Sequence, residues 1–224
     1  GDDDLLGIGG FGEVRRKRWV SGGGIDVAVK VLHQRKLSPK ALTELRQEAE
    51  AMHAMRHPNI IQLYGASLRP PHMCLVLEYA SHGGLDEVLR REGPPRAAAA
   101  SGAAGSPGSV AHAWKERYQF ATDAARGLMY LHSRNVLHRD IKSANVLLME
   151  GMSRRIAKLA DFGLAVVKNE SSTLATVSSA GTTNWKAPEL FSKKGRATPA
   201  SDMYAYACVL YELAAGEAPW SDEA

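Results

Sequence analysis

The hydrophobic pattern of this chain changes its period near Ala80, and that change limits the architecture more than any other feature. Upstream, "LLGIGGFGEV" (5–14), the stretch from Glu13 to Val20 and "IDVAVKVL" (25–32) read as strands, with "SGGG" (21–24) as the turn before the last of them. "IIQLYGASL" (60–68) and "MCLVLEYA" (73–80) read as two more. One helix interrupts them. Ser38-Pro39 predicts its N-cap and first-turn proline, Leu42, Leu45, Ala49, Met52 and Met55 form one apolar stripe, and "HPNI" ends it. Downstream the period becomes helical. "GGLDEVLR" starts a short helix, a strong pattern runs from Trp114 to His132, and a last helix runs from about Ser201 to Ala215. In the middle helix Trp114, Tyr118, Ala121, Ala125, Leu128 and Leu131 share a face, so Trp114 and Tyr118 are expected in the core. Strands first and helices second predict an α+β chain of two lobes, and a cleft between lobes is a natural ligand site.

Composition narrows the function classes. At 45% hydrophobic residues the chain can build a core. The exception is about 93–110, where "GPPRAAAASGAAGSPGS" has no large apolar side chain and reads as a disordered surface insertion. A net charge of +4 is weak support for nucleic-acid binding. "RRKR" (15–18) lies in the second strand and reads as partly exposed strand charge, so no nucleic-acid partner is expected. Cys74 and Cys208 each lie in an apolar run and read as small core hydrophobes of an intracellular, cytoplasmic protein. No apolar run approaches about 18 residues, which predicts no membrane span.

"VLHRDIKSANVLL" (136–148) places Arg139, Asp140, Lys142 and Asn145 within an apolar stretch. Burying such groups costs several kcal/mol unless each finds a partner. "DFG" (161–163) sets another acid between apolar runs. One carboxylate to position a hydroxyl, a lysine to neutralise phosphate charge, and an Asn with an Asp as oxygen ligands for Mg²⁺ suit phosphoryl transfer. "GIGGFGEV" fits G-x-G-x-x-G-x-V at Gly7, Gly9, Gly12 and Val14, a spacing that lets backbone N–H groups approach phosphates. Lys30 closes the apolar strand "VAVK", and Glu48 faces inward beside Ala49 and Met52, so the two are expected to pair.

Taken in order, GxGxxGxV, VAVK, HRDxKxxN, DFG and Ala187-Pro188-Glu189 resemble the eukaryotic protein kinase signature. The resemblance runs from end to end, apart from the 93–110 insertion. "RQEAEAM", "HPNII", "MCLVLEYA" and "DFGLA" are similar to the mixed-lineage or tyrosine-kinase-like group. The resemblance implies a two-lobed kinase fold, an antiparallel sheet plus one helix and then a mainly helical lobe. The N-lobe and hinge would span 1–80 and the C-lobe 81–224. ATP and Mg²⁺ are the implied cofactors and a protein Ser/Thr hydroxyl the implied substrate.

Roles at matching positions follow from the same resemblance. Lys30, held by Glu48, would bind the α- and β-phosphates under the glycine loop of Gly7, Ile8, Gly9, Gly10, Phe11 and Gly12. Val14, Ala28 and Leu147 would sandwich adenine, Leu77 would be the gatekeeper, and the backbones of Glu78 and Ala80 would bond the base. Asp140 would take the substrate proton, Lys142 the γ-phosphate, and Asn145 and Asp161 the metal. His138, Phe162, Met52 and Leu63 match the apolar stack of active kinases, and Asp202 would bond the backbone at His138-Arg139. Lys142 and Thr182 match the serine/threonine pattern. Thr176 and Ser178 are the leading phosphorylation candidates, with Arg139 as the partner of the phosphate.

Departures from the family pattern are few. Lys17 stands where the family has a small residue, and "DMYAYA" follows Ser201 where the family reads D-V-W-S-F-G. Glu189 lacks its usual arginine partner, and the domain is expected to be truncated at both ends. A nucleotide-binding scaffold without transfer is the alternative. It is disfavoured because Lys30, Glu48, Asp140, Asn145 and Asp161 are all in place.

Overall fold

A computed structural model describes residues 4–9, 12–32, 39–69, 72–94, 107–161, 183–192 and 194–221. The chain forms two compact units. One comprises Gly1–His57, Ile61–Ala80 and Gly163–Ala180, the other Pro58–Ile60, Ser81–Phe162 and Gly181–Ala224.

The first unit is a five-stranded antiparallel sheet with one helix. The strands are β1 (Leu5–Gly9), β2 (Gly12–Trp19), β3 (Ile25–Leu32), β4 (Leu63–Ser67) and β5 (Cys74–Glu78), in the order β1-β2-β3-β5-β4. Helix α1 (Pro39–Ala54) buries Leu45, Ala49 and Met52, the i, i+4, i+7 spacing of an amphipathic helix, and Met55 follows them inward. Val27, Leu32, Leu63, Met73 and Leu75 complete this core. The basic run of β2 is neutralised in place. Lys17 pairs with Asp4 at 2.9 Å, Arg15 with Glu13 at 2.8 Å, and Arg16 and Arg18 share Asp26. Lys17 hydrogen-bonds the Asp4 carboxylate and holds it below the usual carboxylate range, which gives the unusual lysine a local reason.

The second unit holds helices α2 (Leu85–Glu92), α3 (Pro107–Ser133) and α4 (Pro199–Ala215) and the antiparallel hairpin of β6 (Val146–Glu150) and β7 (Arg155–Leu159). Short 3-10 turns cover Ser143–Asn145, Thr183–Trp185 and Pro188–Phe191. Thr198 and Ser201 form a reciprocal capping box at the start of α4, Pro199 takes the first turn, and Gly216 ends the helix in the left-handed conformation at φ 79°.

Two expectations for α3 are corrected. It starts at Pro107, seven residues before Trp114, so Pro107–Val110 are helical and not disordered; residues 95–106 lie outside the described residues. Proline at the first helical position donates no N–H and needs none there, so the preceding Gly/Pro-rich composition is no barrier to a start at that point. The apolar face also has a different phase. Trp114 is 41% exposed and Tyr118 73%, whereas Phe120, Ala124, Leu128 and Leu131 are buried together with Arg117 and Asp123. The sequence pattern weights aromatic area, but the buried stripe contains two charges that the pattern assigns to solvent.

Those charges are satisfied. Asp123 accepts both arms of Arg154, at 2.6 and 2.9 Å, and the Ala157 N–H at 3.2 Å. Arg117 donates to Leu213 O at 2.8 Å and to Gly93 O, joining the ends of α4 and α2. Pro58–Ile60 joins this unit because Asn59 donates Nδ2 to Ala157 O at 3.0 Å and accepts the Leu159 N–H at 2.9 Å. A Cβ on Gly127 would lie 2.5 Å from Asn59 O, so only glycine lets α3 pass that close.

Candidate active site

The expected site residues form two sets, one in each unit. In the first, β-sheet register places them. Side chains alternate along a strand, and directly opposed residues share a face. Val14 lies opposite Lys30, and Ala28 opposite Leu77, so Val14, Ala28, Lys30 and Leu77 occupy one face of the sheet. Lys30 is 7% exposed and Ala28 8%. Gly7, Ile8 and Gly9 pair with Val14, Glu13 and Gly12, so the glycine run is a hairpin end rather than a strand-to-helix turn. Gly12, at φ 149°, packs so close to the Val31 carbonyl that a Cβ would overlap it. The N–H of Glu78 donates to Gln62 O at 2.9 Å, so an adenine contact by Glu78 must run through its carbonyl. Ala80 follows β5, half-buried.

In the second unit, buried polar side chains shape the backbone. Arg139 has φ 66°, a left-handed conformation that is strained for a non-glycine residue. Asp202, 2% exposed on α4, accepts the N–H groups of His138 at 2.8 Å and Arg139 at 2.9 Å, and His132 Nε2 donates to it at 2.9 Å. These bonds hold the strained residue in place. The chain then delivers three polar groups to one point. Asn145 Nδ2 donates to Asp140 O at 2.7 Å and to Asp140 Oδ2 at 2.9 Å, and Lys142 Nζ lies 3.4 Å from the same Oδ2. The Asn145 N–H closes its turn onto Lys142 O, and Asn145 O accepts from Ala160, one residue before Asp161. Asp161 itself has φ 60°. Leu147 lies on β6 opposite Lys158 and bridges to Gly84.

With its amide nitrogen committed to Asp140, Asn145 has an oxygen to offer a cation. Asn and Asp oxygens are the donor set that Mg²⁺ prefers, so the residues fit that ion.

Gly10, Phe11, Phe162, Thr176, Ser178 and Thr182 lie outside the described residues, as does the side chain of Glu48 on α1. Sequence reasoning passed over Asn59, Arg117, Asp123, Ser143 and Glu212, all buried. The available signal was a polar residue inside an apolar run, as with Glu212 in "CVLYELAAG". Among the described residues no cluster of three or more His, Cys, Asp and Glu side chains could hold a metal, and no helix is long and apolar enough to cross a membrane.

Comparison with known proteins bears on this arrangement. The profile of the protein kinase domain matches residues 2–224. The probable serine/threonine-protein kinase drkD of Dictyostelium discoideum is 40% identical over 210 residues, covering 93% of this chain and 14% of that protein. Mitogen-activated protein kinase kinase kinase 10 of Homo sapiens is 37% identical over 236 residues, covering 98% of this chain and 22% of that protein. Serine/threonine-protein kinase CTR1 of Arabidopsis thaliana is 35% identical, covering 98% of this chain and 24% of that protein. The chain thus spans about a seventh to a quarter of the length of these curated relatives. An α+β architecture, a glycine run that leads from strand to strand, and a profile match over nearly every residue lead to one conclusion: the chain belongs to the protein kinase domain family.

Proposed function

We propose that the protein transfers the γ-phosphate of ATP to Ser and Thr hydroxyls of protein substrates in a signalling role, as a cytoplasmic enzyme. The observation that carries this reading is the meeting of Asn145 Nδ2 and Lys142 Nζ at the Asp140 carboxylate. Asp140 holds the acceptor hydroxyl and takes its proton as the new O–P bond forms and the bond to the leaving diphosphate breaks. Lys142 neutralises charge on the transferring group, while Asn145 keeps the Asp140 carboxylate oriented. Asn145 Oδ1 and Asp161 would hold Mg²⁺, which when bound shields the triphosphate charge.

On the first unit, Lys30 with Glu48 binds the α- and β-phosphates, and Gly7 to Gly12 supply backbone donors. Val14, Ala28 and Leu77 line the adenine side there. Residues 1–80 act as the N-lobe and hinge and 81–224 as the C-lobe. Phosphorylation of Thr176 or Ser178 would give Arg139 an anionic partner. The names of two of the relatives, drkD and CTR1, both serine/threonine-protein kinases, support the choice of hydroxyl.

The test is phosphate incorporation from labelled ATP by the full-length protein, with Asp140→Asn as control. Phosphoserine and phosphothreonine are expected from wild type alone. Equal incorporation by both, or none by wild type, would reject the reading.

A further inference from the structure

The sheet face that carries Val14, Ala28, Lys30 and Leu77 also carries a cation that the proposed function does not use. Arg16 lies opposite Ala28, two residues after Val14 on β2, so it shares that face. Its guanidinium carbon sits 5.0 Å from the centre of the Tyr79 ring. Tyr79 stands between Glu78 and Ala80, the two residues whose backbones are assigned to the base. Asp26 holds this stack, accepting at Oδ2 from Arg16 Nη2. Arg18, opposite Asp26 on the same two strands, lies 3.6 Å from the same carboxylate. Along β3, Ala28 and Lys30 are two residues apart, about 7 Å. Arg16 and Lys30 therefore stand at opposite ends of the adenine wall.

Two guanidinium groups share one carboxylate, which leaves one positive charge at this end. The neighbouring Lys17 and Asp4 pair with each other and cancel. The Arg16 side chain is 48% exposed, so a ligand can reach it. A guanidinium has five N–H donors, more than one carboxylate oxygen takes up. Stacking on the tyrosine ring fixes the plane in which those donors point. An unbranched apolar stem would cover Tyr79 equally well, so cover alone does not ask for an arginine.

We propose that Arg16 forms an anion subsite at the outer end of the adenine wall, one that takes a flat heterocycle bearing a carboxylate on the edge remote from Lys30. The proposal rests on the reading of this face as the nucleotide site. ATP carries its own negative charge at the Lys30 end, so the subsite acts on which other ligands compete for the face.

The full-length protein is titrated by calorimetry with adenosine bearing a carboxymethyl group at C2, at C8 or on the exocyclic amine, and with the neutral amide of each. A charge-assisted hydrogen bond should make at least one acid bind about tenfold more tightly than its amide. Arg16→Met keeps a stem over Tyr79 and removes the donors. It should bring that ratio to within about twofold of one while leaving the amides within about twofold of their wild-type affinity. Arg18→Met removes a charge but leaves the stack, and should lower the ratio by no more than about threefold. An acid-to-amide ratio near one at every position in wild type, a ratio that survives Arg16→Met, or no binding by any probe overturns the inference. Equal loss in Arg16→Met and Arg18→Met overturns it too, because general charge would then explain the preference. These ratios are read without phosphate transfer. A wild type that transfers none would count against the proposed function, and the ratios would still decide the subsite.

Discussion

The two units place their candidate site residues by different physics. On the sheet of the first unit, backbone register does the placing. Val14, Ala28, Lys30 and Leu77 share a face because strands alternate with a period of two and pair in register. In the second unit, local periodicity places nothing near Asp140. The loop there holds a strained Arg139 and is shaped from outside by Asp202 and Glu212 of α4, more than sixty residues away in sequence. A register-built face tolerates single changes well, whereas a loop built by a few buried acids fails when one is removed. That contrast can be tested directly.

The largest effect is expected at Asp140. Asp140→Asn removes the proposed base and should lower phosphate transfer about a thousandfold, with the circular dichroism spectrum unchanged. Next is Asp202→Ala, which strands the buried His138 N–H, the part-buried Arg139 N–H and the His132 donor. It should reduce unfolding free energy by about 3–5 kcal/mol, read from denaturant midpoints. Gly127→Ala, which forces a methyl against Asn59 O, should cost about 1–3 kcal/mol by the same measurement.

A pH series separates Glu212 from the other carboxylates. Its folded-state carboxyl is raised chiefly by burial, with Asp86 adding and Ser143 and Trp185 opposing. Below the unfolded carboxylate range both states carry the proton, so Glu212 brings no ionisation cost. As pH rises through the raised value, the folded state must ionise a buried group and loses stability relative to the unfolded chain. The Tm of wild type should therefore fall relative to Glu212→Gln as pH rises from the acid range towards neutrality. A constant difference would contradict this. The smallest effect is expected at exposed Trp114 and Tyr118. Each changed to Ser should shift stability by about 0.5 kcal/mol or less, while Phe120→Ala, on the same helix and 2% exposed, should cost about 3–5 kcal/mol.

Legibility in the sequence follows the same division. The strands of the first unit, the stripe of α1 and the end of α4 could be read because each rests on short-range spacing: Leu45, Ala49 and Met52 for the stripe, and an apolar pattern that stops at Ala215, just before Gly216, for the end of α4. The strands of the β6–β7 hairpin and the Thr198-Pro199 start of α4 were not read. Nor could the phase of α3 be read. Its buried face includes Arg117 and Asp123, whose partners Leu213 O, Gly93 O and Arg154 lie 24 to 96 residues away. No local window contains them. The five ordered motifs pointed to the protein kinase family by resemblance, and they named Asp140, Lys142 and Asn145 without saying how the backbone would bring the three together.

By itself, then, the sequence determined the class of the fold, the family and the identities of the chemical groups, because hydrophobic period, turn chemistry and motif spacing are local properties. Tertiary structure decided which face of α3 is buried, why Asn59 belongs with the second unit, and how Arg139 is held at positive φ. Each of those depends on whether a buried polar group finds a partner, and the partner comes from a remote part of the chain.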